Sequence, residues 1–357
     1  MEMYRRLFWA QQVISIALLV GISMSFSLWL NDRTFPMIPI LPYTLPLNSL
    51  SAKILLGLLG FGILSVLVFV KTRIFVLLVV LLMLLVAFQD FNRLQPWFFQ
   101  YWTFFVILIP LARSYKKYLE VEHLLFALQI ALVSVYFFSG LFKFNDGFYQ
   151  RIVPYVFSPI TEILIHSKPW LYPTAFAIPW IEIALAIGLF IPKIRIFAII
   201  GGTLLHIGIL VLIGIGPLGK VENSIILPWN VALIFLLWIL FFKAKNFNFQ
   251  IYIAKLQWPA LVIMVMVVLL PFLNLKGWYN EHLSYELYSG RTFNPYLRYH
   301  YKLIKNTPEY LAPYTWKTGD TVYVDSYKWS MEECNTPPNS DIKVILKVQE
   351  KVLKEFQ

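Results

Sequence analysis

Charge is scarce in this 357-residue chain: Asp, Glu, Lys and Arg together make up 14% of it, against 59% hydrophobic residues and a mean hydropathy of +0.67. Soluble domains carry about 25% charged residues. A chain of this length has too little interior to hide so much apolar surface from water. A water-soluble enzyme and a disordered chain are excluded. Cysteine is scarcer still. The single Cys334 cannot close an intrachain disulfide, so a secreted disulfide scaffold and internal dithiol chemistry are excluded as well. The five histidines are scattered without metal-ligand spacing, so no metal site is expected. There is no GxxxxGK[ST] phosphate loop, no GxSxG nucleophile elbow and no Asn-x-Ser/Thr sequon. The missing sequon is consistent with a bacterial membrane.

What is present is a series of long apolar runs. A bilayer crossing takes roughly 17–25 mostly apolar residues. Nine runs are assigned, approximately 11–30, 54–70, 74–88, 97–112, 123–142, 171–191, 196–215, 224–242 and 258–275. The expected fold is therefore an all-α polytopic protein with about nine transmembrane helices. The third and fourth runs are short enough to thin the bilayer or to form a re-entrant pair. The first run is long for a signal peptide and is read as a retained helix.

The net charge of +11 is explained by where the basic residues fall. With the N-terminus in the cytoplasm, the inner loops carry twelve (Arg5, Arg6, Lys71, Arg73, Arg113, Lys116, Lys117, Lys193, Arg195, Lys243, Lys245, Lys255) in roughly 40 positions. The outer loops carry seven (Arg33, Lys53, Arg93, Lys143, Arg151, Lys168, Lys220) in roughly 67. This bias predicts a cytoplasmic N-terminus, an extracytoplasmic C-terminus and residence in a bacterial inner membrane. It also makes membrane lipids the expected surroundings, with no nucleic-acid partner.

Composition divides the chain into a membrane region, 1–275, and a polar segment, 276–357. In the latter, Thr321–Trp329 alternates as a strand does, and Ile342, Ile345, Leu346, Gln349, Val352, Leu353 and Phe356 share a helical face. The segment is expected to be a small extracytoplasmic α+β or irregular unit.

Ionisable groups at bilayer depth are costly and mark either a function or a satisfied structural pair. Glu182 and His206 lie mid-span, and they are either a proton relay or a buried pair with each other that holds the sixth and seventh spans together, close in space or within one polar cavity. Lys143 ends the fifth run, as a base or as a lysine reaching for headgroups. Asp90 and Arg93, at i and i+3, are expected to pair structurally. The Gly-rich turn at 214–219 and the stretch Glu222–Asn230 bring Asn223 and Asn230 to the outer edge. Lys143 is expected to line the mouth of an outward-facing slot with Trp97, Tyr136, Ser139, Asn145 and Asn230. Asn223 joins these as a candidate substrate-binding residue.

These segments resemble the HTTM (horizontally transferred transmembrane) superfamily. Tyr136-Phe137-Phe138-Ser139-Gly140-Leu141-Phe142-Lys143-Phe144-Asn145 is similar to the stretch of the vitamin K-dependent γ-carboxylase family that holds its catalytic lysine, here Lys143. Asp90–Tyr101, Glu182, His206 and Ser284–Gly290 fall where that family has an acidic–aromatic outer segment, an intramembrane acid, a histidine and the start of its post-membrane domain. The resemblance implies a lyase that couples oxidation of a vitamin K-like quinol to modification of a secreted peptide, with Lys143 as base and Glu182 and His206 as relay. Trp97 stands where the family has a second catalytic histidine, and the post-membrane domain shrinks to about 80 residues, a size at which the superfamily includes a peptide-maturation protein. Three readings stay open: an enzyme acting at the outer face, a non-catalytic scaffold for peptide maturation or for lipid or peptide binding, and a transporter.

Overall fold

The computed structural model describes residues 2–41, 47–69, 73–109, 118–163, 168–215, 223–244, 262–291 and 296–357. It is mostly helical. In the membrane region the helices are α1 (Glu2–Met24), α2 (Ser49–Val68), α3 (Arg73–Phe88), α4 (Pro96–Leu108), α5 (Tyr118–Leu141), α6 (Val153–Ile163), α7 (Lys168–Gly188), α8 (Arg195–Ile215), α9 (Ile226–Phe241) and α10 (Val262–Lys276). Four of them contain spans long and apolar enough to cross a membrane: Glu2–Met24, Ser49–Val68, Val121–Leu141 and Arg195–Leu212. Four more apolar helices are shorter. The chain is a multi-pass membrane protein; among the described residues the helix lengths do not give nine full spans. The Gly-rich turn from 216 onward, Glu222, Lys220 and the start of the ninth run lie outside the described residues, as do Lys71, Arg113, Lys116, Lys117, Lys245 and Lys255.

Helix ends follow local chemistry. The Asn48 side chain accepts from Ser51 N–H at the start of α2, and Pro96 opens α4 where its missing N–H costs nothing. Small polar residues inside the helices return their hydroxyls to the carbonyl four residues earlier: Ser15 to Gln11, Ser25 to Gly21, Thr103 to Phe99, Ser134 to Ile130 and Thr203 to Ile199. They are thereby neutral at depth.

The packing pairs α5 with α7, α2 with α3, and α9 with both α1 and α8. Small residues set the closest approaches. A Cβ on Gly140 would lie 2.8 Å from the Pro179 carbonyl oxygen and 3.0 Å from Glu182 Cβ, so α5 and α7 meet nearly backbone to backbone. On α8, a Cβ on Gly202 would lie 2.8 Å from a Leu237 methyl. At one end of the bundle, Arg6 donates to Ile239 O (3.0 Å), Gln129 to Leu240 O (2.6 Å) and Arg195 to Ala244 O (2.7 Å). The N-terminal halves of α1, α5 and α8 thus sit beside the C-terminal end of α9, whose free carbonyls take up these donors.

The polar segment forms a three-stranded antiparallel sheet, β1 (Tyr296–His300), β2 (Thr315–Thr318) and β3 (Thr321–Asp325), in the order β1-β3-β2. Two helices follow, α11 (Ser326–Cys334) and α12 (Ile342–Glu355). The strand expected over Thr321–Trp329 stops at Asp325, because the Asp325 carboxylate accepts from Lys328 N–H and caps α11. On α12 the buried stripe is Val344, Val348 and Val352, continued by Phe356, while Ile342 and Leu346 face outward. The amphipathic helix is where the periodicity places it, but its buried face is centred one position away.

Candidate functional site

Lys143, just past the end of α5, is 6% exposed and does not reach for headgroups. Its ammonium donates to both carboxylate oxygens of Glu182 on α7, at 3.0 and 2.8 Å, and to the Ser139 hydroxyl at 2.6 Å. The Ser139 carbonyl lies at 3.2 Å. The turn after α5 swings the lysine back over the Ser139–Gly140 step, and the missing Gly140 side chain lets Glu182 come close enough to be gripped by both oxygens. Both charges are buried, so their pairing at short range offsets a desolvation cost that neither could bear alone.

One turn earlier on the same face of α5, Tyr136 stands 2.5 Å from Nε2 of His206, and Nδ1 of His206 stands 2.7 Å from Oδ1 of Asn230 on α9. The Asn230 amide is itself oriented by donating to Ile226 O at 2.8 Å. Its Oδ1 can only accept, so Nδ1 of His206 carries the proton. Nε2 then accepts from the Tyr136 hydroxyl. The result is a directed chain across three helices: tyrosine to histidine to asparagine.

Of the residues expected to share one slot, the structure joins Lys143 with Ser139, where they hold Glu182, and joins Tyr136 with Asn230 through His206. The direct partner of Glu182 is Lys143, not His206. Trp97 does not join either set. It packs in the wall between α1 and α4, with Gly21 against its six-membered ring and with Trp29, Phe98 and Tyr101 as ring neighbours. Asn145 donates to Phe142 O and Ser289 O, tying the end of α5 to the segment after α10. Asn223 donates to the Tyr288 hydroxyl at 2.8 Å. Both asparagines stitch the bundle to the segment after α10.

Asp90 and Arg93 also differ from expectation. Asp90 pairs with Arg33 and accepts from Ile38 N–H at 2.9 Å. Arg93 turns back onto the carbonyls of Leu28, Val86 and Trp29 (3.0, 3.1 and 2.9 Å) and onto Asn31 Oδ1 (2.8 Å). The reason is that Phe91–Arg93 is a 3-10 turn in which Arg93 reaches the spent end of α3, where carbonyls lack helical partners. Burial pushes the Arg93 guanidinium down to about 10, with Asp90 acting in the opposite direction.

Sequence reasoning did not single out the groups that bind the polar segment to the bundle. Glu333 accepts from Thr34 N–H (2.6 Å), the Thr34 hydroxyl (2.7 Å) and Phe35 N–H (2.7 Å). Asn335 donates to Met24 O and accepts from Ser224 N–H, and Asn339 N–H donates to Asn92. Glu286, buried, is held by Arg291, Asn274 and Ser289. Asn335 had a readable signal: asparagine directly after a helix favours the left-handed conformation it adopts (φ 54°). No group of three or more His, Cys, Asp or Glu among the described residues could hold a metal ion.

A family model described as methylamine utilisation protein MauE matches residues 121–224. That interval holds α5 to α8 and both buried polar sets except Asn230. No curated protein and no solved structure matches the chain. The MauE match overturns the resemblance to the HTTM superfamily and the vitamin K-dependent γ-carboxylase family, because the stretch Tyr136–Asn145 that carried it lies inside the matched segment. The lyase chemistry drawn from that resemblance falls with it. A Ser-Gly step followed by lysine is explained here by helix contact: glycine for the approach of Pro179, serine and lysine for Glu182.

Proposed function

We propose that this protein is a non-catalytic membrane scaffold, an accessory component that holds a secreted peptide or a lipid at the outer face during maturation. One observation carries this reading. The ionisable and polar groups of the candidate site are consumed by one another: the Lys143 ammonium is tied to both oxygens of Glu182 and to Ser139, and both nitrogens of His206 are engaged. A general base needs a free lone pair within reach of its substrate. A scaffold needs helices locked in one arrangement, which these contacts provide. The MauE match over the same helices supports a membrane accessory role. In this reading, the basic end of the bundle, where Arg6 and Arg195 sit, faces the cytoplasm, and residues 276–357 form an outer unit.

The test replaces the buried pair by apolar residues. The double variant Lys143→Met/Glu182→Leu should accumulate in the membrane and complement a deletion strain as wild type does, while either single variant is lost. A double variant that is abundant but inactive would return Lys143 to a catalytic role and end the scaffold reading. A reporter fused after Gln357 should be active outside the cytoplasm; activity inside would reverse the orientation.

A further inference from the structure

Among the described residues, nine buried side-chain polar atoms have no hydrogen-bond partner, and three of them cluster on one helix. On α4, three buried polar atoms within five residues have no hydrogen-bond partner: Nε1 of Trp97, Nε2 of Gln100 and the hydroxyl of Tyr101. The residues are 2%, 0% and 1% exposed. Spaced i, i+3 and i+4, they share one face of the helix. The rings of Trp97 and Tyr101 are neighbours, with centroids 6.2 Å apart.

The orientation of Gln100 is not free. Its Oε1 accepts from Nε1 of Trp229 on α9 at 2.5 Å, which leaves the NH2 group as the unpartnered end. Turning the amide over would set donor against donor. An indole N–H and an amide NH2 can only donate, and a phenol can donate as well. What this face lacks is therefore an acceptor. A cation is excluded by the donors. A carboxylate or phosphate would be stranded without a counterion, because the guanidinium of Arg93, four residues before Trp97, is already engaged by carbonyls and Asn31.

We infer that the Trp97–Gln100–Tyr101 face of α4 is a binding site for one uncharged acceptor oxygen, either a bound water or the carbonyl oxygen of a lipid-soluble molecule. Leaving three donors unpaired in an apolar interior is far more costly than leaving one, and native interiors rarely do so. Through Gln100 and Trp229 the site adjoins Asn230, the end of the tyrosine–histidine–asparagine chain. A molecule held there would touch the wall between α1, α4 and α9, independently of the Lys143 set. The inference does not rest on the scaffold reading.

The test is Tyr101→Phe in the full-length protein purified in mild detergent. The substitution deletes one oxygen and keeps the ring. If the hydroxyl is truly unpartnered, its removal relieves a buried polar group, and the melting temperature stays level or rises. If the hydroxyl holds an acceptor, the melting temperature falls by several degrees. Native mass spectrometry separates the two sources. A small organic molecule that co-purifies with wild type and is depleted at least several-fold in the variant identifies a carbonyl ligand. A lowered melting temperature with no such molecule identifies water, to be seen as density between Trp97 and Tyr101 at high resolution. An unchanged or raised melting temperature overturns the proposal.

Discussion

Glu182 and Glu333 are each gripped by several donors, yet the donors differ in kind. Glu182, between membrane helices, is held by the ammonium of Lys143. Glu333, at the junction of the polar segment with the loop after α1, is held by two backbone N–H groups, a threonine hydroxyl and the Trp329 indole. The junction uses such backbone donors again, beside one buried ion pair: Glu281 takes Ser340 N–H at 2.8 Å, and Asp90 takes Ile38 N–H as well as the Arg33 guanidinium. A helix spends its own backbone N–H groups internally, so a carboxylate among helices must find a side chain. Loops leave N–H groups over, and carboxylates use them. The bundle thus depends on a few matched pairs, each fragile to loss of one partner. Apart from the Arg33–Asp90 pair, the junction depends on many modest bonds, each removable at smaller cost.

The largest effect that would sharpen this contrast is at the pair. Glu182→Ala leaves the Lys143 ammonium buried without its counter-charge, and the expected loss is about 3–5 kcal/mol. Thermal unfolding in detergent, followed by tryptophan fluorescence, should show a variant close to unfolded at room temperature. Adding Lys143→Met should recover most of the loss, because an apolar pair asks nothing of its surroundings. Equal stability of Glu182→Ala and wild type would mean that the bundle tolerates a lone buried charge and that the contrast is empty.

At the junction the effect should be smaller and of a different sort. Glu333→Ala removes the acceptor for Thr34 and Phe35, at an expected cost of about 1.5–3 kcal/mol. The bundle should stay folded while the polar segment becomes a better protease substrate. Limited proteolysis should release a fragment beginning after α10, with the membrane helices intact. Simultaneous loss of both regions would show that they unfold as one unit.

How much of this was legible in the sequence follows the same division. Hydropathy located most of the helices, since a membrane helix declares itself by local composition, but α6 (Val153–Ile163) fell between the assigned runs. It did not give their lengths as spans: α9 runs only from Ile226 to Phe241, between turns at 223–225 and 242–243. Lys143, Glu182, His206 and Asn230 were recognisable as residues that need a reason to be at depth. Their partners were not, since Lys143 and Glu182 are 39 positions apart and only the approach at Gly140 joins them. Asp90 was assigned to Arg93 because they are close in sequence, whereas its ion pair is with Arg33, 57 positions away. The acceptors at the junction were invisible for a further reason: backbone N–H groups carry no sequence signature.

Gly140→Ala probes the contact that brings Glu182 to Lys143. The added methyl would sit 2.8 Å from the Pro179 carbonyl oxygen, against backbone that cannot rotate away. The helices must part, and a cost of about 1–3 kcal/mol is expected from the overpacking. The variant should be measurably weaker than wild type in thermal unfolding, yet stronger than Glu182→Ala. A stability equal to that of Glu182→Ala would mean that the glycine, rather than the charge pair, sets the geometry.

The smallest effect belongs to the junction and emerges only in alkali. Burial pushes the Cys334 thiol up to about 12 from an ordinary value of 9, with Arg33 opposing. The neutral thiol is favoured in the folded state. Its contribution is therefore complete below about pH 9 and is lost as pH rises toward 12. Protection of Cys334 from maleimide should hold at pH 7 and fail progressively above pH 9. In Cys334→Ala the polar segment should lose less stability over the same interval than it does in wild type. Burial likewise pushes Tyr279, Tyr310 and Tyr314 up to about 12 and raises Tyr299, and these tyrosines add to the alkaline loss in both proteins. Only the difference between wild type and variant reports the thiol. If the two alkaline profiles coincide, Cys334 is already accessible at the junction, and the many-bond seal around Glu333 is looser than its geometry requires.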